Sequence, residues 1–403
     1  MSGAPTAARA NGSGPDATGL RLLTGAGAVV ETMRQIDPDV VPVYPITPQT
    51  PMIQGFAKLV ADGRADGEVI NVESEHSAMS AAIGSALAGA RTMTATSSQG
   101  LALMAEVVYL AAAQRAPIVM ALGNRALSGP INIHCDHSDS MLIRDSGAIQ
   151  LFAESAQEVY DLMLMAPRIA EHHDILLPVI VCQDGFTITH SAEPIATLGD
   201  DEVHRFVGPY HVPFPLLDLE RITTQGALAM PDYYFELKGQ LTHAMTAARE
   251  VFEGVAGELG ELTGRRCSQV DGYRLDGAER VVVALGSTAG TIKDVVDELR
   301  AEGEAVGLLR ICAFRPFPHR AARSALAEAR SVIVLDRALS PGANPPLLTE
   351  VAATLHGIPS ELRGCVYGLG GRDLGPDAAR EILTAIPGWT EDGEVTYLGL
   401  REA

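Results

Sequence analysis

The chain has 403 residues, of which 47% are hydrophobic, and its formal net charge is -20. The apolar content excludes a disordered protein, and the length is that of two or three domains. So negative a charge excludes a surface built for nucleic acid or an anionic membrane, because neither polyanion would release counterions on contact with it.

The five cysteines are scattered and form no Cys-x-x-Cys pair. Their local spacing therefore assembles neither an iron–sulfur cluster nor a zinc site, and an odd count disfavours a disulfide framework. No apolar run has the length of a membrane span, and residues 1–19 are rich in Gly, Ala, Ser and Pro without the apolar centre of a signal peptide. We predict a disordered tail at 1–19 and a cytoplasmic protein.

Helices and strands alternate regularly from residue 25 onward. In chain order the pattern predicts helix 25–36, strands 40–44 and 68–72, a helix from about 75, strand 92–96, helix 101–114, strand 118–122, a helix opened by a capping box at 155–158, and strand 178–182. Such alternation is typical of a mostly parallel sheet covered on both faces. We therefore predict a doubly wound α/β domain at 20–190.

The periodicity fails between His190 and about Tyr234, where prolines and aromatic residues become frequent. A long structureless connection is unusual inside one compact domain, so we predict a linking arm at 191–235. A charged helix and a second α/β domain follow at 236–403. The predicted elements are helix 237–261, strand 281–285, helix 292–300, strand 306–311, helix 321–329, strand 332–335 and helix 377–386.

Thr47 directly follows a predicted strand and stands between Pro45 and Pro48. Each proline fixes one backbone torsion, so the threonine is presented with little freedom. Ligands of open α/β sheets bind outside the carboxyl ends of the strands. Thr47 is therefore a candidate ligand contact, with a simple rigid turn as the alternative.

Other polar groups occupy the same kind of position. Glu75 stands where a strand passes into a helix, and there it either caps the helix dipole or meets a ligand. Ser98 and Gln99 belong to a hydroxyl-rich turn that would supply polar contacts without charge, or would simply be solvated. Arg125 follows the apolar strand 118–122 and either grips a carboxylate with two hydrogen bonds or forms a surface ion pair.

Two further segments invite a ligand assignment. The loop 133–139 contains His, Cys and Asp, but ligands crowded so closely in a loop do not easily converge on one ion, so we predict a polar loop that shapes a pocket and no metal site. The turn 286–291 could cradle a phosphate at a helix start. It has neither the Rossmann nor the P-loop spacing, and we predict a structural turn.

Taken together, these segments resemble the α subunit of the thiamine-diphosphate-dependent 2-oxoacid:ferredoxin oxidoreductases, above all the pyruvate (pyruvate synthase) type. The resemblance begins at about Leu20 and is carried by an ordered set of motifs. They lie at 44–50, 73–76, 98–100, 124–128, 136–139, 184–186, 286–291, 315–318, 334–337 and 367–373. It implies a thiamine-diphosphate-binding domain of the pyrimidine type, followed by an α/β domain of the transketolase C-terminal type.

The resemblance also implies roles for the residues at the strand ends. Glu75 is similar to the glutamate that binds N1′ of the cofactor's aminopyrimidine, and Thr47 and Arg125 are similar to the pair that holds the oxoacid carboxylate. The same likeness makes Pro45, Ser98 and Gln99 cofactor contacts. The implied reaction is oxidative decarboxylation of pyruvate, or the reverse synthesis, with coenzyme A as co-substrate, acetyl-CoA and CO2 as products, and electrons passed to ferredoxin.

Several parts of such an enzyme are missing from this sequence. It contains no Gly-Asp-Gly followed by an Asn pair, the pattern that binds Mg²⁺ and diphosphate, and no cysteines spaced for clusters. The resemblance therefore implies that Mg²⁺ and [4Fe-4S] clusters lie on partners: a β subunit with the diphosphate site, and γ and ferredoxin-like δ subunits or fused equivalents. It implies a dimer of hetero-oligomers, and we predict that the chain alone is inactive.

Two departures concern the substrate. Ala148 and His134 stand where pyruvate enzymes of this family commonly have Trp. Because the loss of bulk would widen a pocket, a branched-chain or aromatic 2-oxoacid is the alternative to pyruvate. A non-catalytic scaffold subunit is the alternative from another class of protein.

Overall fold

The computed structural model describes residues 20–384 and 395–401. The predicted tail at 1–19 and the last two residues of the predicted helix 377–386 lie outside the described residues. Among the helices of the described ranges, none combines the length and the apolar character that a membrane crossing requires.

The described residues form strands and helices in regular alternation. The strands are β1 (Leu20–Thr24), β2 (Val40–Val43), β3 (Glu68–Asn71), β4 (Thr92–Thr96), β5 (Ile118–Asn124), β6 (Ile149–Phe152), β7 (Val179–Asp184), β8 (Ala192–Ala196), β9 (Val270–Tyr273), β10 (Arg280–Ala284), β11 (Val306–Ile311), β12 (Ala313–Arg315), β13 (Ser331–Asp336), β14 (Glu361–Val366) and β15 (Thr396–Tyr397). The helices are α1 (Gly25–Ile36), α2 (Thr50–Ala61), α3 (Glu75–Ala88), α4 (Ser98–Ala113), α5 (Ser138–Leu142), α6 (Ala156–Ala170), α7 (Asp200–Val207), α8 (Pro231–Thr263), α9 (Thr288–Ala301), α10 (His319–Leu326), α11 (Pro346–Leu355) and α12 (Pro376–Thr384).

The first sheet has seven strands in the order β12-β6-β7-β5-β4-β2-β3 within the described chain. Apart from the antiparallel β12, neighbouring strands are parallel. All seven residues of β5 are buried, as is expected for a central strand covered on both faces. Core residues of α1, α2 and α6 cover one face, and those of α3 and α4 cover the other. The predicted doubly wound α/β fold is confirmed.

The second sheet has the order β15-β14-β13-β10-β11-β9 in the described part of the chain, with β9 antiparallel to its neighbour. Helices α9 and α12 pack on one face, where their apolar residues form a separate core. The other face shares a continuous core with the first sheet, including Phe152 and Ile180 from the first and Leu309 from the second. Strand β12, which follows the second-sheet strand β11, pairs with β6 of the first sheet. The two α/β units are therefore tightly joined.

The segment predicted as a linking arm contains two elements that the pattern did not reveal. Strand β8 pairs antiparallel with β1, and helix α7 follows it. Residues 208–230, all of them described, contain no helix or strand, and α8 then begins six residues before the predicted start at 237. Helix α8 packs Ala248, Phe252 and Val255 into the core of the first sheet. The domain limits at 190 and 236 stay a prediction.

Asp336 ends strand β13 and binds the start of helix α11. Its two carboxylate oxygens accept hydrogen bonds from the main-chain nitrogens of Leu347 and Leu348, both at 2.9 Å. Burial nevertheless raises the pKa of Asp336 from 3.8 to about 7. The folded state therefore binds this proton more tightly than the unfolded state, so the free energy of unfolding falls as the pH rises from about 4 to about 7, by up to about 4 kcal/mol.

We expect Asp336→Asn to remove most of this pH dependence, because an amide does not titrate. The measurement is the urea midpoint of unfolding at pH 5 and at pH 7.5 for both proteins. A variant that loses as much stability as the wild type between these two pH values would contradict the assignment.

Candidate active site

The carboxyl ends of four neighbouring strands carry the polar groups that the sequence singled out. The strands lie in the order β5-β4-β2-β3 and are parallel. Arg125 follows β5, Ser98 opens α4 after β4, Thr47 follows β2, and Glu75 opens α3 after β3. The four segments therefore lie side by side at one edge of the sheet.

The Arg125 guanidinium is held by two main-chain carbonyls. Its Nη1 donates to the Thr47 carbonyl oxygen at 3.0 Å, and its Nε donates to the Asn132 carbonyl oxygen at 2.9 Å. The residue is only 6% exposed, and burial lowers its pKa. An arginine stays charged even so, and a poorly hydrated guanidinium attracts a carboxylate strongly. Nη2 has no hydrogen-bond partner among the described residues, so part of the group is available to a ligand.

Thr47 and Pro45 are both exposed at this edge. The contact of Thr47 with Arg125 is made by its carbonyl oxygen, so its hydroxyl is not used there. Gln49, which is fully buried, supports this turn by accepting from the Ile46 nitrogen at 3.2 Å and donating to the Ala95 carbonyl oxygen at 2.9 Å. The turn is thus anchored to strand β4, with the threonine facing outward.

Glu75 is the first residue of α3, but it does not cap the helix. The N-cap is Ser74, whose hydroxyl accepts from the Ser77 nitrogen. Glu75 is 7% exposed and has no hydrogen-bond or ion-pair partner within 20–384 and 395–401. A carboxylate this buried normally has a partner, and the positive end of the helix dipole stabilises its charge. Glu75 is therefore not the N-cap residue, and both the interaction with the helix dipole and a ligand contact stay open to its carboxylate.

Two buried hydroxyls lie at the adjoining end of β4. A Cβ atom on Gly100 would lie 2.4 Å from Thr96 Oγ1 and 2.7 Å from Glu75 Oε1, so these two oxygens flank the same glycine. Thr96 Oγ1 and Ser97 Oγ are both buried without a hydrogen-bond partner. A carboxylate and two unpaired hydroxyls at the end of a sheet fit a heterocyclic ligand that carries both hydrogen-bond donors and acceptors.

Ser98 and Gln99 have side chains that are already engaged. The Ser98 hydroxyl is fully buried and lies 2.5 Å from the Ala126 carbonyl oxygen and 2.7 Å from Gln99 Oε1. Ser98 also has a φ of 46°, in the left-handed region that non-glycine residues rarely adopt. Such a backbone conformation is common at functional turns.

Asp139 is a residue of this site to which the sequence pattern assigned no role. Its Oδ2 accepts from the main-chain nitrogens of Ser98 and Arg125, at 3.0 and 2.9 Å. Its Oδ1 accepts from Asn124 Nδ2 at 2.9 Å and from the Ser140 nitrogen at 2.8 Å. Burial raises the pKa of Asp139 to about 6, although these hydrogen bonds oppose the shift. The motif at 136–139 was visible in the sequence, but nothing in its spacing linked position 139 to position 98.

The turn at 286–291 binds a carboxylate of the chain itself. The nitrogen and the hydroxyl of Ser287 both donate to Asp184 Oδ2, at 3.1 and 2.5 Å, and Gly286 has a φ of 65°. Arg337 Nη1 lies 3.1 Å from the same oxygen, and His137 Nε2 lies 2.8 Å from Oδ1. Burial alone would raise the pKa of Asp184, but His137, Arg337 and Ser287 outweigh it and hold the pKa well below its usual range.

This network also bears on the loop 133–139. Cys135, His137 and Asp184 place possible metal-ligand atoms within 4.8 Å of one another, and all three residues are buried. The Arg337 guanidinium already neutralises Asp184, however, and it would repel a second cation in a site of this size. We interpret Asp184 and Arg337 as a buried ion pair that joins the two sheets, with His137 hydrogen-bonded to the same carboxylate.

The hypothesis that Ala148 widens a substrate pocket is wrong. Ala148 is fully buried and immediately precedes β6, so it lies at the amino edge of the sheet, opposite the site. The other departure, His134, does lie beside the site. Its carbonyl oxygen accepts from the Ala126 nitrogen at 2.9 Å, and its ring lies 5.2 Å from that of Phe186.

Comparisons with known proteins agree with this architecture. The thiamine diphosphate-binding domain of the pyruvate flavodoxin/ferredoxin oxidoreductases matches residues 31–256, and core domain II of pyruvate:ferredoxin oxidoreductase matches residues 278–379. The chain is 55% identical to pyruvate synthase subunit PorA of Thermotoga maritima, over 94% of this chain and 98% of that protein. It is 46% identical to the PorA subunit of Methanocaldococcus jannaschii, over 95% and 98%.

Two other similar proteins carry different names. Ketoisovalerate oxidoreductase subunit VorA of Pyrococcus horikoshii is 39% identical, over 88% of this chain and 91% of that protein. The solved structure of 2-oxoglutarate:ferredoxin oxidoreductase from Magnetococcus marinus, with 2-oxoglutarate, coenzyme A and succinyl-CoA bound, superposes with a TM-score of 0.70. The match covers 91% of this chain and 65% of that one at 19% identity, which supports the fold alone. With both of its domains matched and relatives of 39–55% identity along nearly its whole length, the chain belongs to the pyruvate flavodoxin/ferredoxin oxidoreductase family.

Proposed function

We propose that this chain is the α subunit of a multi-subunit 2-oxoacid:ferredoxin oxidoreductase. The complex converts pyruvate and coenzyme A to acetyl-CoA and CO2, or runs in reverse, and exchanges electrons with ferredoxin. The observation that carries the proposal is the buried, unpartnered Glu75 carboxylate at the sheet edge that also presents the Arg125 guanidinium. The family match adds a thiamine diphosphate-binding domain over the same residues.

Bound thiamine diphosphate would supply a carbon nucleophile for the oxoacid carbonyl and, in its cationic ring, a sink for the electron pair left when CO2 departs. Glu75 would hold a proton against N1′ of the aminopyrimidine, and a buried carboxylate at a helix N-terminus is suited to that contact. The unpaired hydroxyls of Thr96 and Ser97 would bind the polar edge of the ring. Pro45, Ser98 and Gln99 would shape the walls of the same site.

Arg125 and Thr47 would hold the oxoacid. The guanidinium is fixed by carbonyls from two separate segments, so it is preorganised to receive a carboxylate with little further loss of entropy. The Thr47 hydroxyl, free of the Arg125 contact, would add a hydrogen bond. Together they would orient the substrate carbonyl toward the reactive carbon of the cofactor.

The remaining parts of the enzyme would lie on partner subunits. Helices α3 and α4 both begin at the site, and α4 exposes Leu103, Tyr109 and Leu110 by 49%, 41% and 45%. These exposed apolar side chains, on a face that also carries the exposed Glu106, are suited to burial by another protein. We assign Mg²⁺ and the diphosphate site to a β subunit. The [4Fe-4S] clusters would lie on partner chains, namely γ and ferredoxin-like δ subunits or their fused equivalents. The whole enzyme would be a dimer of such hetero-oligomers in the cytoplasm.

Pyruvate is the proposed substrate, because the relatives of 55% and 46% identity are named pyruvate synthase subunits. A branched-chain 2-oxoacid is the second candidate. It is favoured by the ketoisovalerate oxidoreductase relative and by His134, which lies beside the site in place of a bulkier residue. The buried position of Ala148 removes the other argument for a wider pocket.

The test is purification of the complex through a tag on this chain, followed by coenzyme A-dependent reduction of a viologen dye. Pyruvate, a branched-chain and an aromatic 2-oxoacid would be compared, with the isolated chain and a reaction lacking coenzyme A as controls. We expect activity only from the complex, with the highest kcat/KM for pyruvate. Turnover by the isolated chain, or no oxidation of any 2-oxoacid by the complex, would refute the proposal.

A further inference from the structure

Asp139 is a fully buried carboxylate that belongs to neither of the two segments it connects. It lies on α5, and each of its oxygens accepts two hydrogen bonds. Oδ2 binds the main-chain nitrogens of Ser98 and Arg125, which stand at the ends of the neighbouring strands β4 and β5. One oxygen atom therefore bridges the turn that begins α4 and the segment that carries the guanidinium.

Both ends of this bridge need support. Ser98 adopts a φ of 46°, a conformation that costs free energy for any residue other than glycine. The hydrogen bond from its main-chain nitrogen to Asp139 helps to offset that cost. Arg125 carries a buried positive charge, and the nearby Asp139 charge favours its charged form. No solvent reaches Asp139, so water cannot replace either bond.

We propose that Asp139 is a positioning residue for the reaction: it fixes the main chain of Arg125 against the Ser98 turn, so that the oxoacid-binding guanidinium and the cofactor-binding turn keep one spacing. This inference rests on the proposed function, because it takes Arg125 to bind the oxoacid carboxylate. Asp139 itself acts only through the two segments that it joins.

The chemistry of the amide suggests an informative pair of variants. In Asp139→Asn one oxygen becomes an NH2 group. Whichever way the amide turns, that group faces a main-chain N–H, either that of Ser140 or those of Ser98 and Arg125. Asn124 donates to Oδ1. If Asn124→Asp is added, the new carboxylate accepts from the amide of residue 139, and the remaining amide oxygen is directed at the Ser98 and Arg125 nitrogens. The double variant should therefore restore the bridge in part.

The experiment uses the assembled complex and measures binding of oxamate, an unreactive 2-oxoacid analogue, by calorimetry, together with KM for pyruvate and for coenzyme A. For Asp139→Asn we expect the oxamate Kd and the pyruvate KM to rise about tenfold, the change given by one lost hydrogen bond to a charged group. The coenzyme A KM and the thiamine diphosphate content per complex should stay unchanged. The double variant should recover at least part of the lost oxamate affinity.

Asp161→Asn is the matched control, since Asp161 is a buried carboxylate on α6 that is paired with Arg265. It should lower stability without changing oxamate binding. Unchanged oxamate affinity in Asp139→Asn, or failure of both the single and the double variant to assemble, would assign Asp139 to folding alone and overturn the inference. A wild-type complex that binds oxamate but oxidises no 2-oxoacid would refute the proposed function and leave the comparison of Kd values intact.

Discussion

Replacing Glu75 by Gln is expected to lower the kcat of the assembled complex by about 10³-fold, within the range for loss of a positioned acid or base. The amide has nearly the same shape as the carboxylate but cannot share a proton with a ring nitrogen. Glu75 has no hydrogen-bond partner in the described chain, so the exchange leaves no broken bond in the protein itself. Assembly should therefore persist while 2-oxoacid-dependent dye reduction is lost.

Glu73→Gln supplies the matched control. Glu73 stands two residues earlier, is exposed, and hydrogen-bonds the Ser77 hydroxyl at 2.5 Å. That variant should retain wild-type activity. If Glu75→Gln kept activity within a few-fold of wild type, the chain would act as the non-catalytic scaffold that was the alternative from another class. Loss of assembly in Glu75→Gln, with Glu73→Gln intact, would show that the carboxylate serves the fold or an interface.

The second large effect is expected for Arg125→Met, which keeps an unbranched side chain of similar reach but removes the charge. Hydrogen bonds to a charged group contribute about 1.5–3 kcal/mol each, so kcat/KM for pyruvate should fall about a hundredfold. Most of the loss should appear in KM, because the carboxylate contact forms when the substrate binds. The measurement is steady-state kinetics of dye reduction over a wide range of pyruvate concentration.

Arg125→Met also removes hydrogen bonds within the protein, so its control must remove a guanidinium elsewhere. Arg125 also donates to the carbonyls of Thr47 and Asn132, so Met leaves both acceptors unpaired and costs some stability. Arg168→Met removes a comparable guanidinium, which pairs with Glu258 outside the site, and should leave the KM for pyruvate unchanged. An unchanged pyruvate KM in Arg125→Met would mean that another group binds the oxoacid carboxylate.

Local pattern was sufficient for the elements that are long and buried. Helix α1 and strands β4 and β11 have the predicted bounds, because each is a continuous apolar or periodic run between clear turn signals. Strands β6, β8 and β12 were not predicted. They have four, five and three residues and are defined by their pairing, with β12 bound to β6 across more than 150 positions of sequence. No local window contains that partner.

The sequence by itself determined which polar residues stand at strand ends, because the end of a strand is a local feature. That is why the residue pattern alone was enough to name Thr47, Glu75, Ser98 and Arg125. Only the tertiary structure decided which residues are in contact. Asp139 joins the Ser98 and Arg125 segments, and Asp184 binds the turn at 286–291. The position of Ala148 at the opposite edge of the sheet was likewise visible only in the structure. These contacts connect loops far apart in the chain, and they form because parallel strands bring their carboxyl ends to one edge while the hydrogen bonds of buried charges select the partners.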